Sequence, residues 1–330
     1  MRGAVTGRAG QAPRRGRFAR ALAIAATVAL YPVLSGFDLS HHVVPPGEIR
    51  DGGPAKDAIP AVLEPQFVKA AAATFLEAND KVIGVVVQGR ARAYPIKILD
   101  WHEVVDDSIA GMPLAVTFCP LVQGAAVYKR EAGGKTLIFG VSGKLYQSNL
   151  VLYDQDTQSL WAQLDGEALA GPMAGQKLAA IPSTVTTWEA WRKKHPATDV
   201  LSINTGYTRD YGIDPYWGYQ HGDQVVSPVT RFDERLAAHE IVLGVSAGGQ
   251  DEAFPLSQLS QAALPLRVQL GGADLTITYD ADSGAATASV SGERVPVYNG
   301  YWFAWAAFHP KTTIWSAAAS RSKTAPAAGQ

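Results

Sequence analysis

"VIGVVVQGRARAYPIKIL" (82–99) and "VLGVSAGGQDEAFPLSQL" (242–259) align without a gap at an offset of 244 minus 84, or 160 residues. Val, Gly, Val, Gly, Ala, Pro and Leu coincide, and Tyr94 aligns with Phe254. Each stretch is a short β-branched run, a Gly-containing turn and a second short run, which reads as paired strands. Recurrence at a fixed spacing reads as a repeated unit.

Two further matches keep the same order. "YDQDT" with a later "GE" (153–157, 166–167) matches "YDADS" with "GE" (279–283, 292–293) at an offset of 126, and "WEAWRKKHPAT" (188–198) matches "WFAWAAFHPKT" (302–312) at 114. Further strand-like runs, "LAVTFC", "KTLIFGVSG" and "EIVLGVSAGG", lie between Gly, Pro, Asp and Ser. The expected class is therefore mainly β, a β-rich α+β chain of two tandem related modules. Helices are few and short, the best around "TWEAWRKKH" and "DERLAAHE". Module one spans 79–200, an aromatic segment 201–238, and module two 239–316, shorter by 160 minus 126, or 34 residues. A Pro/Gly-rich arm (38–78) precedes them and a disordered tail (317–330) follows.

The chain has 330 residues, 47% hydrophobic and 18% charged, the composition of a packed globular core. Its charge is 29 minus 30, or −1, but six arginines precede any acid, so the rest carries 23 minus 30, or −7. That acidic body argues against a nucleic-acid partner. The arginines lead into "ALAIAATVALYPVL" (21–34), the pattern of an export signal or an uncleaved anchor within 1–37. The expected place is the periplasm or the outer face of the cytoplasmic membrane, with membrane contact only through this segment. With one cysteine, an exported chain has no internal disulfide.

Positions shared by both modules read as scaffold, including the Trp188, Trp191, His195 and Trp302, Trp305, His309 sets. What is special to module one is the candidate site: "LDWHEVVDD" with His102, Glu103 and Asp106, "TFCP" with Cys119, "SGKLYQSNL" with Asn149, and "SLWAQ" with Trp161. Two chemistries need such a set. His102, Cys119 and Glu103 could ligate one Cu or Zn ion. Alternatively His102 activates Cys119 as a nucleophile, with Asp106 orienting the ring if a helical turn places it there. The bland alternative is a buried Cys119, alternating with Ala115 and Thr117 along a strand. Arg209, Tyr211 and Tyr216, in "NTGYTRDYGIDPYWGYQHGD" (204–223), are either inter-module packing or the wall of a small-molecule cleft. The chain has no phosphate loop, dinucleotide fingerprint, nucleophile elbow or Cys-x-x-Cys.

"GGPAKDAIPAVLEPQF", "RARAYPIKILDWHEVVDD", "VTFCPL", "FGVSGKLYQSNLVLYDQDTQSLWAQ" and "TGYTRDYGIDPYWGY" resemble the exported bacterial domain-of-unknown-function family 3179 over residues 46–315. One departure is Ala58, where that family usually has Gly before Ile-Pro. The resemblance implies export and one integrated fold, and brings no reaction, substrate or cofactor. Two functions of different class follow: an envelope protein with a Cys/His metal or thiol site, including a thiol acyl transferase, or a non-catalytic envelope binding or assembly protein whose Cys119 is structural.

Overall fold

The structure, a computed structural model, describes residues 36–222, 224–225 and 229–317. Nearly all of the segment expected to direct export or anchor the chain (1–37), and nearly all of the expected tail (317–330), lie outside the described residues. The chain is mainly β, built from small sheets with, among the described residues, five short α-helices.

Strands Lys81–Val87 and Arg90–Pro95 form the hairpin that the first repeat implies, and Ile241–Ala247 and Gln250–Pro255 form the second. The first lies in a five-stranded sheet ordered Ser183–Thr187, Lys81–Val87, Arg90–Pro95, Asp199–Leu201, Phe67–Lys69. The second lies in a sheet ordered Tyr298–Tyr301, Ile241–Ala247, Gln250–Pro255, Thr313–Ile314. Their registers coincide. Val82 pairs with Pro95 and Val242 with Pro255; Lys81 pairs with Thr187 and Ile241 with Tyr301. The parallel pairs Ala93–Val200 and Ala253–Ile314 also correspond. The "YD-x-D" segments behave alike: Tyr153 pairs with Leu160 and Tyr279 with Ala286, each beside an Asp that caps the turn with its side chain.

The helices follow the same pattern. α1 (Ile96–His102) and α4 (Leu256–Leu259) follow the hairpins, α2 (Trp188–Lys194) and α5 (Trp302–Phe308) precede the parallel strands, and α3 (Trp217–Gln220) lies in the segment between the two halves. Trp191 on α2 and Trp305 on α5 donate their indole N–H to Thr198 and Thr312 at 3.1 and 2.9 Å. Each indole lies flat on a strand glycine. A Cβ added at Gly84 would sit 2.1 Å from the Trp191 ring, and one at Gly244 would sit 2.4 Å from Trp305. Gly84→Ala is therefore expected to cost about 2–3 kcal/mol of unfolding free energy through overpacking, Gly244→Ala a similar amount, and Gly218→Ala far less, since open space surrounds that residue and its backbone is not left-handed. Denaturant titration of the three variants checks this.

One four-stranded sheet has no counterpart among the described residues of the second half. It is ordered Ala179–Ala180, Gly124–Lys129, Met112–Cys119, Val104–Ile109 and carries Cys119. It packs on one face with Phe139, Leu152 and Trp161 and on the other with Ile83, Tyr94 and Leu201. Because both faces are covered, Leu114 to Cys119 are all buried and show no alternation.

Two readings of helix fail. "DERLAAHE" is a string of turns, because Asp233 and Arg235 spend their side chains locally: Asp233 accepts the N–H of Arg235, and the guanidinium binds Asp233 and the Thr312 carbonyl. α1 supplies a helix ending at His102, with Glu103 as a left-handed cap (φ 57°) and Val104 starting the next strand. The Pro/Gly-rich arm is also stitched in, with Ile49–Asp51 and Phe67–Lys69 each pairing in a sheet.

Candidate functional site

Four residues at the C-terminal end of α1, Asp100 to the cap Glu103, each meet the segment 204–222. Asp100 and Glu103 lie one turn apart, Trp101 and His102 between them, and the segment 204–222 covers all four. Trp101 donates its indole N–H to the Ile213 carbonyl at 3.1 Å, with the Arg209 guanidinium 5.7 Å above its ring. Tyr216 O–H reaches Glu103 Oε1 at 3.3 Å, and Tyr219 O–H donates to the Leu121 carbonyl at 2.8 Å.

His102 is fully buried, and both of its nitrogens are used. Nδ1 lies 2.7 Å from the Pro60 carbonyl, which can only accept, so Nδ1 carries the proton. Nε2 lies 2.7 Å from Tyr211 Oη and, in that tautomer, accepts its proton. Thr205 Oγ1, 2.7 Å from the same phenol, completes the chain as donor. Burial pulls the imidazole pKa down, the Pro60 bond pushes it up, and Arg209 adds to the fall. The ring is a neutral strut between arm, helix and covering segment.

Cys119 is 1% exposed, and its Sγ accepts the Leu150 N–H at 3.3 Å. Burial pushes the thiol up to about 12, and the neighbouring Glu103 carboxyl adds to the rise. The N–H groups of Leu150, Leu121 and Val122 oppose it without reversing it. Glu103 is itself pushed up to about 8 by burial, against the Tyr216 hydrogen bond. Asp100 rises to about 8 through burial, then through Asp214 and Glu103, and its Oδ1 has no partner. Cys119, Glu103, Asp100 and Tyr216 therefore form one buried, largely protonated cluster.

The expected chemistry is not assembled in this geometry. Among the described residues no three His, Cys, Asp or Glu side chains come together as a set able to hold a metal ion. His102 finds its hydrogen-bond partners in Pro60 and Tyr211, and the thiol is not among them. Asp106 does not orient the ring; it stands on the Val104–Ile109 strand, where Oδ2 accepts the Phe139 N–H at 2.7 Å and burial raises its pKa to about 7. Asn149 is held by Gln163 and the Leu164 N–H, and Gln163 goes on to Thr117 and the Gly124 carbonyl, a closed network inside the core. Trp161, fully buried, donates to Asp154 at 2.9 Å. Of the covering segment, Tyr211 is buried and Arg209 exposed, while Tyr216 is half-buried over Glu103.

Sequence reasoning missed Asp100, Thr205 and the Pro60 carbonyl, since a backbone acceptor has no sequence signature. It also set aside His309, because His195 matches it. The partner of His309, Asp251, has Ala91 at its matching place, and that difference was the available signal.

No helix among the described residues is long and apolar enough to cross a membrane. No curated protein and no solved structure matches the chain. A family model described as "Protein of unknown function (DUF3179)" matches residues 56–293, which run from the arm through both hairpins and stop short of the Tyr298–Tyr301 strand and α5. That match spans more than two thirds of the 330 residues and includes the whole cluster around α1, so the chain belongs to the DUF3179 family.

Proposed function

We propose that this chain is an exported, non-catalytic binding or assembly protein of the cell envelope, descended from a duplicated unit, in which Cys119 and His102 are structural. One observation carries the reading: His102 spends both nitrogens on Pro60 and Tyr211 while the Cys119 thiol is pushed up to about 12. A thiol that far above neutrality is neither a nucleophile nor a ready metal ligand. Export rests on the basic-then-apolar N-terminus, and common descent on the three matches with their coinciding registers.

The metal-or-thiol reading is second, and one feature favours it. Three backbone N–H groups point their charge at Sγ, the environment that would hold a thiolate if the carboxyl beside it left. The test is alkylation with iodoacetamide at about pH 7.5 together with Zn and Cu titration of chelator-treated protein. The expected result is a thiol protected in the folded chain, labelled only in denaturant, and no stoichiometric metal uptake. Rapid labelling of the folded protein, or one tightly held ion lost in Cys119→Ser, would replace the proposal by the active-site reading.

A further inference from the structure

A groove of about 330 Å³ lies between the Gly124–Lys129 strand and the second half of the chain. Val127, Ile181 and Val297 supply apolar wall, and Asp165, Lys177 and His309 supply the ionisable groups. His309 is the best-built of these. Its ring stacks on Trp305, with 3.8 Å between centroids, and its Nδ1 lies 3.2 Å from Asp251 Oδ2. Asp251 Oδ1 in turn accepts the Ser246 hydroxyl at 2.5 Å. Burial pulls the imidazole pKa down, against the pull of Asp251, so the neutral ring donates its Nδ1 proton in a hydrogen bond to Asp251 and Nε2 carries a lone pair with no hydrogen bond among the described residues.

The matching histidine of the first half has no such support. His195 also stacks on its tryptophan, at 4.2 Å, but Ala91 and Val86 stand where Asp251 and Ser246 stand. The device is therefore a property of this groove and not of the repeated scaffold. Asp165 and Lys177 are the other charges that act on His309. Asp165 uses Oδ1 to accept the Glu167 N–H at 3.2 Å, and Glu167 feels both charges. Carboxylate and ammonium thus stand on one rim, with no direct ion pair between Asp165 and Lys177 among the described contacts.

We propose that this groove binds a small zwitterion of amino-acid or dipeptide size. Asp165 faces its ammonium group, Lys177 its carboxylate, and His309 Nε2 accepts one of its N–H groups, while Val127, Ile181 and Val297 take an apolar side chain. Charge complementarity carries the choice: a plain anion would meet Asp165, and a plain cation would leave Lys177 unanswered. The volume lies at the lower end of small-molecule sites, which suits one or two residues rather than a longer peptide. The proposal rests on the non-catalytic binding reading and gives it a ligand class.

The test uses the full chain, with calorimetry and tryptophan fluorescence read during titration with L-leucine and glycyl-leucine. The expected result is saturable binding of at least one of them with Kd on the order of 1 mM or tighter. N-acetyl-leucine and leucinamide, each lacking one charge, should bind at least about tenfold more weakly. Lys177→Glu, at an exposed position that leaves the fold alone, should also weaken binding at least about tenfold. No binding of either zwitterion up to about 10 mM, equal binding of the singly charged analogues, or an unaffected Lys177→Glu would each overturn it. Failure here with a protected, metal-free Cys119 removes the groove alone; a reactive or metal-loaded Cys119 removes the reading of the α1 cluster and leaves the groove standing.

Discussion

Between about pH 5 and pH 8 the protein is expected to lose stability, by on the order of 3 kcal/mol for each independently titrating buried carboxyl. Asp100 and Glu103 are held at about 8 and Asp106 at about 7, from ordinary values of 3.8, 4.5 and 3.8. Above about pH 4 the unfolded chain has released these protons while the folded chain still holds them. The native state therefore binds more protons than the unfolded state throughout this window, and stability falls as pH rises. The fall ends near pH 8, where the folded groups ionise as well. Because Asp100 and Glu103 act on each other, their contributions overlap and the total stays below three times the single value. Urea titrations at about pH 5, 6.5 and 8 measure the slope. Asp100→Asn should flatten it and raise the unfolding free energy at pH 8, since a neutral amide replaces a carboxyl that would have to ionise in the core. A stability that is flat or rising over this range would remove the buried protonated cluster.

His102→Ala is the substitution expected to do the most damage outside the tryptophans. It deletes an imidazole and leaves the Pro60 carbonyl and the Tyr211 phenol without their 2.7 Å partners in a fully buried site. The lost packing and the two stranded polar groups together should cost about 3–4 kcal/mol. The effect is also local: segment 204–222 loses one of the four hydrogen bonds described above that hold it to α1 and its surroundings, so proteolytic cleavage there should accelerate before the whole molecule unfolds. Tyr211→Phe removes only the Oη link and should cost about 1 kcal/mol. Trypsin digestion at Arg209, read beside a thermal melt, separates the two variants. Equal resistance of His102→Ala and the parent chain would show that the imidazole holds nothing down.

The β class was legible because apolar runs of strand length alternate with Gly and Asp turns, and the repeats of 82–99 and 242–259 appear as hairpins of equal register. Proximity to Cys119 was only partly legible. Glu103 and Tyr216 do stand beside the thiol, but His102 faces the opposite duty of joining Pro60 to Tyr211. Residue types reveal which groups could react, whereas protonation is set by burial and by partners distant in sequence. Pro60 and Tyr211 lie 42 and 109 residues away from His102. The helix expected at "DERLAAHE" failed for a local reason, since Asp233 closes on Arg235 before a helical turn can form.

The unmatched sheet also sets the order in which the chain can become complete. The Val122 carbonyl, three residues beyond Cys119, accepts the N–H of Tyr301 at 2.9 Å. Lys81 likewise donates to the Ser283 carbonyl, and Arg294 binds Thr184 and the Ser183 carbonyl. During synthesis at about 5–20 residues per second, the first half waits on the order of ten seconds or more for these partners to emerge. Closing contacts that far apart is slow, and the pre-formed strands keep exposed edges meanwhile. A chain stopped near residue 240 should therefore aggregate rather than persist as a soluble half, and supplying the missing half in trans should rescue it.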